Sequence, residues 1–273
     1  MDKAMANRLI ALNREFYRDQ ASSFSATRTS PWRGWERCLD ASRGGLLPKG
    51  ASLKVADVGC GNLRFEEFLS TALPEVALRA VALDSCAELV PAECQGSPVV
   101  RKAAFTGRSM NPGIFFRECD VIGLLSADRE SEVFPEDEKP FDLAVAFGFL
   151  HHVPLASWRR ALIRSMASAV RPGGYAWVSF WRFADDPSMK TRAEAAHARG
   201  LERLGIEAPA LDEGDYLLGW RNEQAAFRYC HSFTTAEVDD LIAFLADAAD
   251  AVSRFRADGR TGDLNEYVVF RVR

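Results

Sequence analysis

The feature that most constrains this chain is a glycine-containing turn between a short apolar strand and a helix. Residues 53–65 read Leu-Lys-Val-Ala-Asp-Val-Gly-Cys-Gly-Asn-Leu-Arg-Phe. Val55 and Val58 belong to the predicted strand, and Phe65 begins a helical spacing. Glycines let a backbone approach a ligand closely, and the helix that follows presents free N–H groups and the positive end of its dipole. The pattern predicts a nucleotide-binding corner, although an ordinary strand–turn–helix with two glycines reads the same way.

A second apolar strand, residues 78–83, ends in Asp84. Its distance from the glycines is close to the interval of about 20 residues at which a carboxylate binds the hydroxyls of a cofactor ribose. A dinucleotide site would also require a third glycine, and Leu63 and Arg64 fill the candidate positions. The turn therefore favours an adenosyl ligand without a pyrophosphate. The alternative is that Asp84 is a plain turn residue.

Length and composition favour one large α/β domain in the cytosol. The 273 residues contain no uninterrupted apolar run approaching the roughly 18 residues of a membrane span, and residues 1–20 are too polar for a signal peptide. The net charge of −4 argues against a generally basic, sequence-blind nucleic-acid binder, but it leaves room for a local basic face. The six cysteines contain no Cys-x-x-Cys pair, so we predict reduced thiols, no metal site and no disulfide framework.

The pattern along the chain predicts an N-terminal helical cap (1–50) and a ligand-binding domain (51–273) with insertions near 94–112, 128–140 and 184–230. Within the cap, residues 4–20 have helical periodicity and Pro31 can open a second helix. The acidic segment 128–139 is expected to be a solvated surface loop, and residues 206–226 are expected to be a mixed loop.

Strands and helices alternate through the domain and end in a hairpin of residues 251–256 and 265–272. This order predicts an α/β fold with a doubly wound, mostly parallel sheet, an antiparallel C-terminal hairpin and ligands at the carboxyl ends of the strands. The residues that follow the first four predicted strands should therefore meet at one edge. They are Gly59 and Gly61, Asp84, Asp120, and Phe147 to His152.

The turn resembles motif I of the class I S-adenosylmethionine-dependent methyltransferases, because Asp57, Gly59 and Gly61 match the acidic-x-Gly-x-Gly pattern of that family. Leu63 stands where the family usually has a third glycine. The resemblance implies a seven-stranded Rossmann-like fold, S-adenosyl-L-methionine as the cofactor and methyltransferase activity.

The resemblance also implies roles for the residues at the sheet edge. Asp84 would hold the ribose, Asp120 would meet the adenine, and Phe147 would lie under the sulfonium. The alternative for Asp120 is a helix cap. His151 and His152 are open to two interpretations, packing near the cofactor or acid–base chemistry. The predicted cofactor-binding set is Asp57, Gly59, Cys60, Gly61, Asp84, Asp120, Phe147 and His151.

Three further patterns resemble the wobble-uridine tRNA methyltransferases, which esterify a carboxymethyl group on the anticodon uridine. They are Thr27-Arg28-x-x-Pro31-Trp32, Leu218-Gly219-Trp220 and Arg228-Tyr229-Cys230-His231. The resemblance implies a carboxylate on a modified tRNA uridine as the acceptor, with tRNA and a small zinc-binding adaptor protein as partners. Two alternatives stay open: a small-molecule carboxyl or O-methyltransferase, and a non-catalytic binding partner with the same fold.

A carboxylate acceptor is already ionised at neutral pH, so its methylation needs orientation and exclusion of water more than a strong base. An arginine is well suited to hold its oxygens. We predict that Arg28, Arg228 and His231 are the catalytic residues, which bind and orient the acceptor carboxylate. The predicted substrate-binding walls are Tyr17, Trp32 and Trp220. The alternatives are that Trp32 and Trp220 belong to the core and that the two arginines form surface ion pairs.

Overall fold

A computed structural model describes residues 1–46, 52–91, 113–221 and 223–273. The helices are α1 (Lys3–Ser25), α2 (Arg33–Leu46), α3 (Arg64–Ala72), α4 (Val121–Ser126), α5 (Ala156–Ala169), α6 (Pro187–Leu204) and α7 (Thr235–Leu245). The strands are β1 (Ser52–Val58), β2 (Ala77–Asp84), β3 (Ile114–Glu118), β4 (Phe141–Ala146), β5 (Val170–Trp181), β6 (Asp215–Trp220), β7 (Glu223–His231), β8 (Ala249–Ala257) and β9 (Asn265–Val272). No helix within these ranges has the length and apolarity needed to cross a bilayer.

Seven strands form one sheet in the order β3-β2-β1-β4-β5-β9-β8. The pairs from β3 to β5 are parallel, and β9 runs antiparallel to both β5 and β8. The predicted doubly wound, mostly parallel sheet with an antiparallel C-terminal hairpin is therefore confirmed. The strand order reverses between β1 and β4, and in open sheets of this kind the crevice at such a reversal is where ligands bind.

Helices cover both faces of the sheet because side chains on each buried strand alternate between two cores. On β1, Ala56 and Val58 face the core that contains α4, α5 and α7, whereas Leu53 and Val55 face the core that contains α2 and α3. Helix α2 contributes Trp35, among others, to this second core. The predicted domain division at residue 50 falls outside the described residues.

The prediction that residues 206–226 form a mixed loop is wrong for residues 215–220 and 223–226, which belong to β6 and β7. Strands β6 and β7 pair antiparallel as a separate two-stranded sheet, which packs against α1 and α6. Leu217 and Tyr229 are fully buried in this small sheet. A two-stranded ribbon is only marginally stable alone, so its form depends on packing partners that are distant in sequence.

The acidic segment 128–139 was expected to be a solvated loop, but the residues at its centre are buried. Val133 and Phe134 are buried in the core beside Phe141, and the acidic residues around them form two short 3-10 turns. Helix α1 extends to Ser25, beyond the predicted end at residue 20. The predicted insertion at 94–112 lies outside the described residues.

Candidate active site

A cavity of about 590 Å³ opens at the carboxyl ends of β1, β2 and β4, at the point where the strand order reverses. This volume is in the usual range for small-molecule sites. Eleven of the residues predicted from the sequence line it: Tyr17, Arg28, Trp32, Asp57, Gly59, Cys60, Gly61, Asp84, Phe147, His151 and Arg228. The other three, Asp120, Trp220 and His231, are not part of the lining.

The glycine turn is held by hydrogen bonds to the end of β2. The Gly59 and Cys60 amides both donate to the Leu83 carbonyl, at 2.8 and 3.0 Å. Gly59 and Gly61 have φ values of +78° and +54°, which favour glycine. A Cβ on Gly59 would come within 2.4 Å of Phe149, whereas a Cβ on Gly61 would meet nothing within 4 Å. The backbone at Gly61 is therefore open to a ligand.

Asp84 completes this corner. One of its carboxylate oxygens accepts a hydrogen bond from the Gly61 amide and the other accepts one from the Cys86 amide, both at 2.9 Å. Burial raises the pKa of Asp84, and these amides oppose that effect. The carboxylate thus fixes the turn and still faces the cavity.

Leu63 keeps the backbone conformation that a glycine would adopt, with φ at +63°. Its side chain is buried in the core beside Phe65 and lies outside the cavity lining. The conformation costs about 1–2 kcal/mol for a residue with a Cβ. The missing third glycine is therefore accommodated by local backbone strain, with the side chain directed away from the cavity.

The segment between α1 and α2 lies over the turn. The Asn62 side-chain amide donates to the Arg28 carbonyl at 2.9 Å, and the Arg64 guanidinium donates to the Ser30 carbonyl at 2.6 Å. Trp32 reaches across to Gly148, where an added Cβ would be 3.0 Å from the indole ring. Residues 28–32 therefore form one wall of the cavity, which includes two of the predicted site residues.

His152 is the centre of a buried hydrogen-bond cluster. Its Nε2 lies 2.8 Å from the Tyr17 hydroxyl, and its Nδ1 lies 3.1 Å from the Tyr229 carbonyl and 3.2 Å from the Asn13 amide nitrogen. Burial, followed by the charge of Arg228, lowers the pKa of His152 to about 3. Burial likewise lowers the pKa of His151. Both rings are therefore neutral at pH 7.

Donor atoms of His151, His152 and Cys230 lie within 4.8 Å of one another, which is close enough to consider a metal site. Both ring nitrogens of His152 already have partners, and Arg228 lies beside Cys230. An ion would displace these hydrogen bonds and stand beside a cation. The contacts support a hydrogen-bonded cluster.

Arg228 is a buried cation with an aromatic surround. Its guanidinium carbon lies 5.1 to 5.6 Å from the ring centroids of Phe16, Phe24 and Trp220. It is 7% exposed, and its Nε and Nη1 have no hydrogen-bond partner among the described residues. Arg28 lies close enough for Arg228 to lower its pKa, after the larger effect of burial. Arg28 and Arg228 therefore line the same cavity as Asp57 and Asp84, whose part of the lining we call the acidic corner.

The three predicted residues outside the lining have other contacts. Asp120 caps α4 by accepting from the Gly123 amide at 3.0 Å, and it pairs with Arg14. Trp220 is 9% exposed and donates from its indole nitrogen to Ser23, so it backs the aromatic surround of Arg228. His231 lies between the carboxylates of Asp215 and Glu237, 2.8 Å from each. The structure does not bring His231 to the cavity, because its ring is buried in this separate network.

Asn13 and Glu66 are notable residues that the sequence patterns did not single out. The Asn13 side chain accepts from the Tyr229 amide at 2.7 Å and donates to the Tyr229 carbonyl at 3.1 Å, which attaches α1 to β7. An available signal was its position on the apolar face of α1, four residues after Leu9 and three before Phe16. Glu66 is fully buried on the apolar side of α3.

A protein-family model described as "Methyltransferase domain" matches residues 28–249, which include the glycine turn, Asp84 and Arg228. This chain belongs to that methyltransferase family. It is an S-adenosylmethionine-dependent methyltransferase, as the resemblance of the turn to motif I implies. The residues present suit the cofactor, since the turn is open at Gly61 and the cavity is large enough for a small-molecule ligand.

Solved structures show the same fold. A SAM-dependent methyltransferase from Methanosarcina mazei superposes with a TM-score of 0.57 and 16% identity, covering 84% of this methyltransferase and 96% of the other chain. A DhpI–SAM–HEP complex superposes with a TM-score of 0.56 and 21% identity, covering 96% and 97% of the two chains.

Two curated relatives are similar over part of the sequence. A tRNA (carboxymethyluridine(34)-5-O)-methyltransferase of Arabidopsis thaliana is 25% identical over 140 residues, covering 47% of this methyltransferase and 33% of the relative. The tRNA (carboxymethyluridine(34)-5-O)-methyltransferase ALKBH8 of Mus musculus is 26% identical over 167 residues, covering 61% and 19%. The matched regions thus span a third or less of each relative.

Proposed function

We propose that this methyltransferase transfers a methyl group to a carboxylate oxygen, and that the acceptor is the carboxymethyl group of a modified tRNA wobble uridine. The observation that carries the proposal is Arg228, a buried guanidinium at the cavity whose Nε and Nη1 have no hydrogen-bond partner among the described residues. Tyr17 and Cys230 interact with the rest of the guanidinium. Buried N–H groups without an acceptor are costly, whereas an arginine and a carboxylate form strong charge-assisted hydrogen bonds. A carboxylate acceptor would supply the missing partner.

We place the cofactor at the acidic corner. Asp84 would hold the ribose hydroxyls, and Asp57 with Gly59, Cys60 and Gly61 would border the methionine end. Phe147 and His151 would line the pocket beside the reacting centre. The support for this placement is the open backbone at Gly61 and the presence of all these residues in the lining of one cavity.

When bound, S-adenosylmethionine would supply the methyl group of its positively charged sulfur to an acceptor oxygen, and the electron pair of the broken carbon–sulfur bond would stay on sulfur. Arg228 and Arg28 would hold and orient the acceptor carboxylate, and Trp32 would exclude water. The neutral His151 and His152 need not accept a proton, because a carboxylate has none to lose at pH 7.

The tRNA part of the proposal rests on the two curated relatives, whose names give that acceptor. A free carboxylic acid would satisfy the same arginines, so the acceptor must be tested directly. A small zinc-binding adaptor protein remains part of the proposal, and assays should be run with and without an added adaptor.

The test is methyl transfer from radiolabelled S-adenosylmethionine to tRNA whose wobble uridine carries a carboxymethyl group, compared with unmodified tRNA and with free carboxylic acids. We expect label only on the carboxymethylated tRNA, and mild base should release it because the product is an ester. Label on free acids alone would replace tRNA with a small-molecule acceptor.

Arg228→Gln and Arg28→Gln should lower the transfer rate roughly 10- to 100-fold, the value of a hydrogen bond to a charged group, while the affinity for S-adenosylhomocysteine stays within about twofold. Arg18→Gln, at an exposed position on α1, is the matched control. Loss of S-adenosylhomocysteine binding in both cavity variants would instead place the two arginines on the cofactor.

A further inference from the structure

Asp57 and Glu66 are two buried carboxyl groups on either side of the glycine turn. Asp57 is 3% exposed at the end of β1 and lines the cavity, and Glu66 is 0% exposed in the first turn of α3. Neither Glu66 oxygen has a hydrogen-bond donor among the described residues that could satisfy an ionised carboxylate. Two buried carboxylates would repel each other strongly in such a place.

A hydrogen bond from a protonated Asp57 carboxyl to Glu66 raises the pKa of Asp57 and lowers that of Glu66. Such a bond exists only if one carboxyl carries a proton. Burial raises the pKa of both groups, and the charge of Glu66 raises that of Asp57 further. The pair therefore retains one proton in a pH range where exposed carboxyls are ionised.

The neighbouring groups do not neutralise the pair. Asp84, at the end of β2, adds a third carboxylate that also raises the pKa of Asp57. The Cys60 thiol in the turn has a raised pKa because of its own burial and these three acids, so it stays uncharged. Among the described residues, the charged groups that raise the pKa of Asp57 are the carboxylates of Glu66 and Asp84. A positive charge arriving from the cavity would change this balance.

We propose that Asp57 and Glu66 share one proton in the free protein, and that binding of the positively charged ammonium group of the cofactor's methionine end releases that proton to solvent. Glu66 is then a positioning residue that acts through Asp57. The inference rests on the proposed placement of the methionine end beside Asp57. The release of this proton makes the affinity for the cofactor depend on pH.

The sign of the pH dependence follows from this exchange. A cationic group binds better to the ionised pair, so affinity should rise with pH until the free protein has lost the shared proton. The limiting slope is a tenfold change in affinity for each pH unit and each proton released. Burial raises the pKa of Glu66 to about 7, so this slope applies below about pH 7 and disappears above it. For one proton, we therefore expect the dissociation constant of S-adenosylhomocysteine to fall by about tenfold between pH 6 and pH 8.

Calorimetric titration with S-adenosylhomocysteine provides the test. Titrations at one pH in buffers with different ionisation enthalpies give the number of protons released, which we expect to approach one at pH 6. Binding without proton release would overturn the inference and leave the cofactor placement standing. Failure of the protein to bind S-adenosylhomocysteine at either pH would overturn both.

Glu66→Gln separates proton linkage from a merely structural role. Its amide can donate to an ionised Asp57, so the variant should release no proton and should bind S-adenosylhomocysteine at pH 6 at least as tightly as the wild type. Glu67→Gln, at the exposed neighbouring position of α3, is the matched control and should keep the wild-type pH dependence. Proton release by Glu66→Gln equal to that of the wild type, or equal weakening at pH 6 and pH 8, would contradict the inference.

Discussion

The amide N–H of Gly61 donates a 2.9 Å hydrogen bond to the carboxylate of Asp84, across the ends of two neighbouring parallel strands. The same carboxylate accepts the Cys86 amide with its second oxygen, also at 2.9 Å. Asp84 therefore holds the glycine turn in place and is also a candidate ligand for the ribose. Both functions depend on its negative charge, since backbone amides bind a carboxylate more strongly than a neutral acceptor.

Asp84→Asn should weaken binding of S-adenosylhomocysteine by roughly 10- to 100-fold, because an asparagine has one acceptor oxygen for two amides and a ribose. Calorimetry with a parallel thermal melt measures the affinity and checks that the fold is retained. Asp40→Asn, at an exposed position on α2, is the control. Wild-type affinity in a folded Asp84→Asn protein would remove Asp84 from the cofactor site.

Asn13→Ala should lower the free energy of unfolding by about 1–3 kcal/mol, the cost of leaving the buried Tyr229 amide without an acceptor. The Tyr229 carbonyl still has His152 as a partner, so its contribution should be smaller. Urea denaturation measures the change. Asn7→Ala, at an exposed position of the same helix, should have a much smaller effect; equal effects would show that the Asn13 contact does not attach α1 to β7.

Glu237→Gln should reduce stability at pH 7 but not near pH 2. Burial alone would raise the pKa of Glu237, but the hydrogen bond and charge of His231, with the Thr234 amide, lower it to about 2 from the ordinary 4.5. A lowered acid pKa contributes stability that is complete above pH 4.5 and lost as the pH falls towards 2.

We expect the two proteins to differ by about 1 kcal/mol at pH 7, with the difference shrinking steadily below pH 4.5. Glutamine can keep the capping box of α7, so helix formation is not the variable. Denaturation curves at several pH values test this expectation, with Asp240→Asn on the same helix as the control. A difference that is constant from pH 7 to pH 2 would show that the ionised carboxylate is not its source.

Arg228 and His231 have different surroundings in the structure, although one sequence motif contains both. The sequence predicts that Arg228 and His231 both bind the acceptor, because they belong to one short motif. In the structure they lie on β7, where side chains alternate between two faces. Arg228 lines the cavity, whereas His231, three positions along, lies in the buried network with Asp215 and Glu237. The strand itself was missed, so this alternation could not be applied.

Sequence patterns were enough to predict the main sheet, the glycine turn and the meeting of Asp57, Gly61 and Asp84. These follow from local periodicity and from the rule that parallel strands end at one edge of a sheet. Other features are visible only in the folded protein: the separate β6–β7 sheet, the inward Arg228 and the burial of Asp57 and Glu66. Each depends on contacts between distant segments or on which face of an element a side chain occupies, and burial, rather than residue type, then sets the chemistry of these groups.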